Sequence, residues 1–225
     1  MTRTAIIGGH GKIALLLARS LTDAGHRAVG VIRNPAHADE VRAAGGVPVV
    51  LDIETASAEE LSAALAAVAS DGDGAVDAVV FAAGAGGGSG AARKETVDHQ
   101  GSVKSIAAAR QSGIRRFVQI SYIGADQADT SGDESFGAYQ KAKKAADDAL
   151  RASDLDWTIV RPGHLNDDAA TGRVRIGDDV TSGSTSRANT AVVITALLEG
   201  PVALGGVLNV IDGDTPVAEA LASLG

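Results

Sequence analysis

The chain has 225 residues, of which 45% are hydrophobic, and it carries a formal net charge of -8 at pH 7. This length and apolar content suit one globular domain with a sizeable core. The acidic surplus and an aromatic content of only 3% argue against a nucleic-acid partner, which needs a basic face and rings on which bases stack. The absence of cysteine excludes disulfides, thiolate nucleophiles and thiolate metal sites.

The sequence also carries no signal for a membrane or a metal. No apolar run approaches the roughly 20 residues that cross a bilayer, and the first predicted strand begins too early to leave room for a signal peptide. We therefore expect a cytoplasmic protein with no membrane partner. The five histidines are scattered and no HExxH spacing occurs, so we expect no metal site.

Apolar segments rich in valine and isoleucine alternate with segments rich in alanine and leucine. The first kind predicts strands at 4–8, 28–33, 47–51, 76–82, 116–121 and 157–161. The second kind predicts helices at 11–24, 36–44, 58–69, 96–112 and 138–152. Strands that are apolar throughout are buried on both faces, and alternation with helices makes them parallel. The prediction is an α/β fold with a doubly wound, mostly parallel sheet.

The pattern loosens after the sixth strand. We expect a short strand and turn at 171–180, a helix at 187–198, a strand at 207–211 and a closing helix at 216–224. The prediction is a single domain, 1–225, in which about 165–225 contributes a small substrate-side region. A substrate pocket there is expected to be shallow or completed by a partner, and the protein to be a monomer or homodimer.

A glycine-rich turn joins the first strand to the first helix. Gly8, Gly11 and Ala14 have a G-x-x-G-x-x-A spacing, which allows a sharp turn and directs the positive end of the helix dipole at a diphosphate. An ordinary tight turn would show the same glycines, but the buried strand before it and the amphipathic helix after it favour a dinucleotide site. The other predicted cofactor-binding residues of this turn are Gly9, His10, Lys12 and Ile13.

The second strand ends at Arg33 and Asn34, where the cofactor is selected. An acidic side chain at this place suits the ribose 2'-hydroxyl of NAD, whereas a guanidinium suits the 2'-phosphate of NADP. Arg33 therefore indicates NADP, with NAD still possible; the alternative is a solvated arginine at a strand end. Asp52, with Ile53 beside it, ends the third strand where a carboxylate can accept a hydrogen bond from the adenine amino group.

The fourth strand ends in the small residues Ala82, Ala83 and Gly84, which permit close approach to a cofactor lying across the sheet edge. The glycine-rich segment 86–90 follows. It is either a flap over the nicotinamide half of the cofactor or a loose surface loop.

Together these motifs resemble the atypical short-chain dehydrogenase/reductases, a group of compact NAD(P)-binding proteins that includes NmrA-like and epimerase/dehydratase-like members. The resemblance covers essentially the whole chain and implies a Rossmann fold. It rests on the strings GGHGKIA at 8–14, VDHQG at 97–101, RRFVQIS at 115–121, WTIVRPG at 157–163 and GDTP at 213–216. It also rests on Tyr139 followed by Ala142 and Lys143.

Catalytic roles follow from this resemblance at three positions. Tyr139 and Lys143 have the Y-x-x-x-K spacing, which places both side chains on one helical face. In the short-chain reductases the tyrosine gives a proton to the carbonyl oxygen, and the lysine holds the nicotinamide ribose and lowers the tyrosine pKa. Ser121 matches the serine that hydrogen-bonds the reacting oxygen. The alternative is an aromatic anchor followed by an exposed lysine in the run at 141–144.

The sixth strand leads into Pro162, Gly163 and His164, beside the expected nicotinamide position. The first two can line the cofactor with backbone atoms, and His164 is either polar lining or an aid to proton transfer.

The sequence therefore indicates an NADP-dependent oxidoreductase that transfers hydride between NADP(H) and a small carbonyl, alcohol, quinone or flavin-like compound. The alternative is a non-catalytic NADP(H)-sensing protein that acts through a partner. A nucleotide-sugar epimerase or dehydratase is weakened by the small C-terminal region.

Overall fold

The computed structural model describes residues 1–69, 74–127, 133–200 and 202–224. The strands are β1 (Arg3–Ile7), β2 (Arg27–Ile32), β3 (Gly46–Val50), β4 (Ala78–Phe81), β5 (Arg116–Ile120), β6 (Asp156–Pro162), β7 (His164–Asn166), β8 (Arg173–Ile176), β9 (Ser184–Ser186), β10 (Gly206–Asp212) and β11 (Thr215–Pro216).

The helices are α1 (Lys12–Asp23), α2 (Ala38–Ala43), α3 (Ala58–Ala69), α4 (Ala91–Arg93), α5 (Gly101–Gln111), α6 (Glu134–Arg151), α7 (Arg187–Leu198) and α8 (Val217–Ala222). A short 3-10 turn (Pro35–His37) precedes α2, and a π-helical segment (Lys94–Gln100) joins α4 to α5.

Within the described part of the chain the main sheet has nine strands in the order β11-β8-β10-β6-β5-β4-β1-β2-β3. Strands β1 to β6 and β10 pair in parallel, and β8 runs antiparallel to β10 and to β11. The chain order reverses between β1 and β4, where a crevice opens beyond the carboxyl ends of the two strands and ligands bind in folds of this kind. The predicted doubly wound, mostly parallel sheet is confirmed.

Two hydrophobic clusters cover opposite faces of this sheet. Successive strand residues point to opposite faces. Ile6 accordingly joins the cluster beneath α1 and α7, whereas Ile7 joins the cluster that includes Leu61 of α3 and Leu150 of α6. The strands are apolar in sequence because both of their faces are buried.

Two observed helix boundaries differ from the boundaries predicted from the sequence. Helical structure begins at Ala91 instead of residue 96, and α6 begins at Glu134 instead of residue 138. The Asp133 side chain caps α6 by accepting hydrogen bonds from Ser135 N at 2.8 Å and Phe136 N at 3.3 Å. Capping by an aspartate satisfies amides that would otherwise be unpaired, so the helix starts one turn early. The small parallel pair β7 and β9 has no strong pattern in the sequence.

A buried ion network fastens α6 to the sheet. Asp147 is fully buried and accepts hydrogen bonds from Gln119 of β5 at 2.7 Å and from Arg161 of β6 at 2.7 and 3.2 Å. Arg161 also donates to Asp126 at 2.7 Å, and Asp126 in turn binds Arg151 at the end of α6 at 3.0 Å. Buried charges are tolerated when they are paired and hydrogen-bonded in this way. The network holds the predicted catalytic helix against the ends of two central strands.

Gly9 is required by the close approach of two backbone segments. A Cβ at Gly9 would lie 2.5 Å from Gly30 Cα, which no side-chain rotation can relieve. We expect Gly9→Ala to lower the free energy of unfolding of the cofactor-free protein by about 1–3 kcal/mol, the usual cost of overpacking. Urea denaturation measures this. The control is Gly87→Ala, whose Cβ meets no atom within 4 Å; equal losses in both variants would contradict the packing argument.

The network also predicts a pH dependence of stability. Hydrogen bonds from Arg161 and Arg151 hold the pKa of Asp126 well below its ordinary value of 3.8. A depressed folded-state pKa contributes stability above the unfolded pKa, and that stability is lost as the pH falls through the folded one. Asp126→Asn should therefore be less stable than wild type near neutral pH and converge with it in acid.

Urea midpoints measured from roughly pH 7 down to pH 2 test this convergence. Asp168→Asn, at an exposed aspartate, is the control and should follow the wild-type curve. A constant gap between Asp126→Asn and wild type at every pH would show that the Asp126 carboxylate does not supply the effect.

Candidate functional site

The glycine turn follows β1 and packs against Ala83, just beyond the end of the neighbouring strand β4. Gly8 has a φ of +82°, and a Cβ there would lie 2.6 Å from Ala83 Cα, so glycine is required both by conformation and by contact. The first helical position, Lys12, follows directly on Gly11, which makes no side-chain cap, and the first turn of α1 carries no acidic residue. The first amides of a helix have no partner within it. This end of α1 is therefore free to bind an anion.

A cavity of about 270 Å³ opens on one side of this turn. It brings together predicted residues from four strand ends: Gly8, His10, Gly11, Arg33, Asp52, Ile53, Ala82, Ala83 and Gly84. These residues fit an adenosine and its phosphates, because a helix N-terminus, small residues, a guanidinium and a carboxylate stand where each part of the nucleotide needs them.

Arg33, His37 and His10 line this cavity together. Arg33 is exposed, and His37 lines the cavity beside it. The His37 ring stacks on the His10 ring with centroids 3.6 Å apart, and His10 Nε2 lies 3.1 Å from Glu40 Oε1. Arg93 also lines this cavity. Glu54 accepts hydrogen bonds from Thr96 Oγ1 at 2.7 Å and from Arg93 Nη2 at 3.1 Å, and these bonds lower the pKa of Glu54.

Three predicted cofactor residues, Gly9, Lys12 and Asn34, line neither this cavity nor the two further cavities that contain Ser121 and Tyr139. Gly9 packs on Gly30. Lys12 donates to Asp167 at 2.6 Å. The Asn34 side chain accepts a hydrogen bond from Ala36 N at 3.0 Å and so caps the following 3-10 turn.

A second cavity, of about 580 Å³, lies beyond the turn and contains all three predicted catalytic residues, Ser121, Tyr139 and Lys143, together with Ile13. The run at 141–144 is not uniformly solvated: Lys143 is only 6% exposed and faces inward. The interpretation of Lys143 as an exposed lysine is therefore wrong.

The three residues have defined partners. Ser121 Oγ donates to Asp147 Oδ2 at 2.9 Å, and Lys143 Nζ donates to the Ile120 carbonyl at 2.7 Å. Burial lowers the pKa of Lys143, while Asp98 and Asp147 oppose the shift. In this arrangement the serine proton is directed at the Asp147 carboxylate.

The pKa of Tyr139 is raised, chiefly by burial and then by Asp98, Tyr122 and Asp147. The resemblance implies the opposite direction, through the neighbouring lysine. The difference arises because the Lys143 ammonium is directed at a backbone carbonyl and the phenol is desolvated. Tyr139 is consequently a protonated phenol at neutral pH, able to donate a proton.

Aromatic side chains gather around Tyr139. Its ring lies 5.1 Å from that of Tyr122 and 6.2 Å from that of Phe136 between centroids. Three of the six aromatic residues in the chain thus stand at one site, although such residues are scarce elsewhere.

The late segments wall a third cavity of about 650 Å³ that shares Ser121 and Tyr139 with the second and also includes Pro162, Gly163 and His164. Gly163 has a structural reason for being glycine, because a Cβ there would lie 2.3 Å from the Gly183 carbonyl oxygen. His164 is exposed. The late segments contribute Thr181, Ser182, Gly183 and Arg187 to this cavity.

The sequence interpretation missed several lining residues. Lys94 and Asp98 line the cavity of Tyr139, and both belong to the π-helical segment; such segments occur often at functional sites. Asp147 was also missed, although its spacing of four residues from Lys143 places it on the same helical face.

The helices that the structure describes are too short or too polar to span a bilayer. The described residues also contain no group of three or more histidine, aspartate or glutamate side chains that could hold a metal ion.

Comparison with known proteins agrees with this geometry. A family model described as NAD(P)H-binding matches residues 8–201. A Bacillus subtilis protein described as an uncharacterized sugar epimerase, YhfK, is 34% identical over 97% of this chain and 98% of its own length.

Solved structures agree too. A Bacillus halodurans protein described as an NAD-dependent epimerase/dehydratase has a TM-score of 0.88 and 35% identity, covering 99% of this chain and 100% of that one. The oxidoreductase ylbE of Lactococcus lactis has a TM-score of 0.84 and 28% identity, covering 99% and 96%. The chain has an oxidoreductase-like dinucleotide-binding fold, and it belongs to the NAD(P)H-binding family.

Proposed function

We propose that the protein is an NADP-dependent oxidoreductase that reduces a small carbonyl, quinone or flavin-like compound. The observation that carries the proposal is the meeting of Ser121, Tyr139 and Lys143 in one cavity next to the glycine turn. The description of the Lactococcus protein as an oxidoreductase agrees with it.

Each residue has a role in this proposal. The bound cofactor supplies the hydride. Tyr139 is held as a phenol and gives its proton to the substrate oxygen. Lys143 holds the nicotinamide ribose, and Ser121 contacts the reacting oxygen, giving it the hydrogen bond that it otherwise donates to Asp147.

Proton donation to the substrate oxygen needs Tyr139 in its phenol form, and burial, which raises the pKa of Tyr139, keeps it in that form near neutral pH. The proposal is tested by following NADPH absorbance with a panel of aldehydes, ketones, quinones and flavins. A lack of oxidation with every acceptor would count against an enzyme.

Epimerisation is a second candidate because the Bacillus subtilis relative is described as a sugar epimerase. A nucleotide-sugar epimerase would convert UDP-glucose and UDP-galactose without net NADPH consumption. Assaying both sugars beside the acceptor panel separates the two activities.

Arg33 is proposed to bind the 2'-phosphate of NADP. Removing a hydrogen bond to a charged group costs about 1.5–3 kcal/mol, so Arg33→Ala should weaken NADPH binding about tenfold or more and leave NADH binding unchanged. Fluorescence titration of both cofactors measures this. Arg42→Ala, which removes an exposed arginine paired with Asp39, is the control. An equal loss of NADH affinity would mean that Arg33 does not bind the 2'-phosphate selectively.

Tyr139→Phe separates an enzyme from a sensor. For an enzyme we expect turnover to fall about 10²–10⁴-fold, the usual contribution of a positioned proton donor, while the dissociation constant for NADPH stays within about twofold of wild type. The measurements are initial rates and cofactor titration. Tight cofactor binding with no turnover by wild type, and an unaltered biological effect in Tyr139→Phe, would favour the NADP(H)-sensing alternative.

A further inference from the structure

Lys94 is a buried lysine without an evident structural task. It is the first residue of the π-helical segment, is 6% exposed, and lines the same cavity as Ser121, Tyr139 and Lys143. Lysine is almost never fully buried without a partner.

The Lys94 ammonium opens into the cavity. Among the residues that the structure describes, its Nζ makes no hydrogen bond and no ion pair. Its Nζ lies over the face of the Tyr139 ring, 5.3 Å from the ring centroid. Because the Lys94 side chain is almost fully buried while its Nζ reaches the cavity, the N–H donors of the ammonium remain available to a ligand there.

The other lysines around the site differ in this respect. Lys143 Nζ donates to the Ile120 carbonyl. Lys104 Nζ donates to the carbonyls of Glu54 and Ala56 at 3.1 and 2.9 Å. Each of these two cations has a backbone acceptor, whereas Lys94 has none in the described chain.

Among the described residues that line the cavity, the cations are Lys94 and Lys143, and Lys143 is held against the Ile120 carbonyl. Ser121 Oγ donates a hydrogen bond to Asp147 Oδ2. Asp98, one turn beyond Lys94, lines the cavity with a carboxylate whose Oδ2 accepts a hydrogen bond from Ala85 N at 2.9 Å. An anionic oxygen entering here therefore meets Lys94 as the cation that has no backbone acceptor in the described chain.

We propose that Lys94 binds a substrate oxygen that carries or acquires negative charge. This inference rests on the proposed reductase function. Hydride supplied by NADPH would form a C–H bond at the carbonyl carbon of an aldehyde or ketone, or at a ring carbon of a quinone such as menadione, which then tautomerises to the hydroquinone. In both cases the carbonyl π electrons move to oxygen, and Tyr139 donates the proton to that oxygen and is reprotonated from solvent. Lys94 stabilises the oxygen while its charge develops, through a charge-assisted hydrogen bond. The same ammonium would equally bind a carboxylate substituent of the substrate.

The test compares Lys94→Met and Lys94→Arg with wild type, and uses Lys104→Met as the matched control. Four quantities are measured: kcat and KM for menadione with NADPH, benzoate affinity for the NADP⁺ complex by calorimetry, the NADPH dissociation constant, and Tm.

For Lys94→Met we expect kcat/KM for menadione or the affinity for benzoate to fall at least about tenfold, with partial recovery in Lys94→Arg. NADPH affinity should stay within about twofold, and Tm should be unchanged or higher because a buried charge is removed. Lys104→Met should lower Tm and leave kcat/KM unchanged.

The two assays separate the two sources of the charged oxygen. A loss confined to kcat with menadione identifies the reacting oxygen, and a loss confined to benzoate identifies a substituent. The inference is overturned if neither value changes in Lys94→Met, or if only NADPH affinity falls, which would assign Lys94 to the cofactor.

Failure of the proposed function gives a different result. If wild type and Lys94→Met have the same turnover and the same benzoate affinity, the Lys94 inference alone is overturned. No turnover by wild type together with Lys94-dependent benzoate binding overturns the reductase proposal alone. No turnover and no Lys94-dependent binding overturns both.

Discussion

The close approach of the glycine turn after β1 to its two neighbouring strands is the constraint on which the rest of the molecule depends. Gly8 contacts Ala83 after β4 and Gly9 contacts Gly30 of β2, with no room for a Cβ at either glycine. Because these contacts bring the first helix down onto the sheet, its N-terminal amides face the crevice where the strand order reverses. Larger side chains would close the place that a pyrophosphate needs.

A second constraint acts on α6, which carries Tyr139 and Lys143. The fully buried Asp147 on that helix is bound by side chains of β5 and β6. The same carboxylate accepts a hydrogen bond from Ser121 Oγ, so the helix and the serine are positioned by one group. The stability of the fold and the alignment of the proposed catalytic residues are thus coupled through a buried charge.

The site is assembled around desolvated charges. Two buried lysines, the buried Asp98 and a phenol with a raised pKa line one cavity, and the fully buried Asp147 accepts a hydrogen bond from Ser121 of the same cavity. Perturbed and buried ionisable groups concentrate at functional sites because stability alone does not favour them. This concentration of buried ionisable groups distinguishes the second cavity from an ordinary surface cleft. It supports the proposed catalytic role over a role in cofactor binding alone.

The sequence by itself determined the strand and helix alternation, the glycine turn and the Tyr139 and Lys143 spacing, because each follows from local periodicity or from residues a few positions apart. Helix boundaries were less predictable, since capping by Asp133 lies outside the apolar pattern. Only the tertiary structure placed Lys94 over the Tyr139 ring, joined Ser121 to Asp147 and stacked His10 on His37. The two members of each pair come from different secondary-structure elements. A single sequence does not show which side chains will come into contact, or which charges will lack an acceptor, once the helices pack on the sheet.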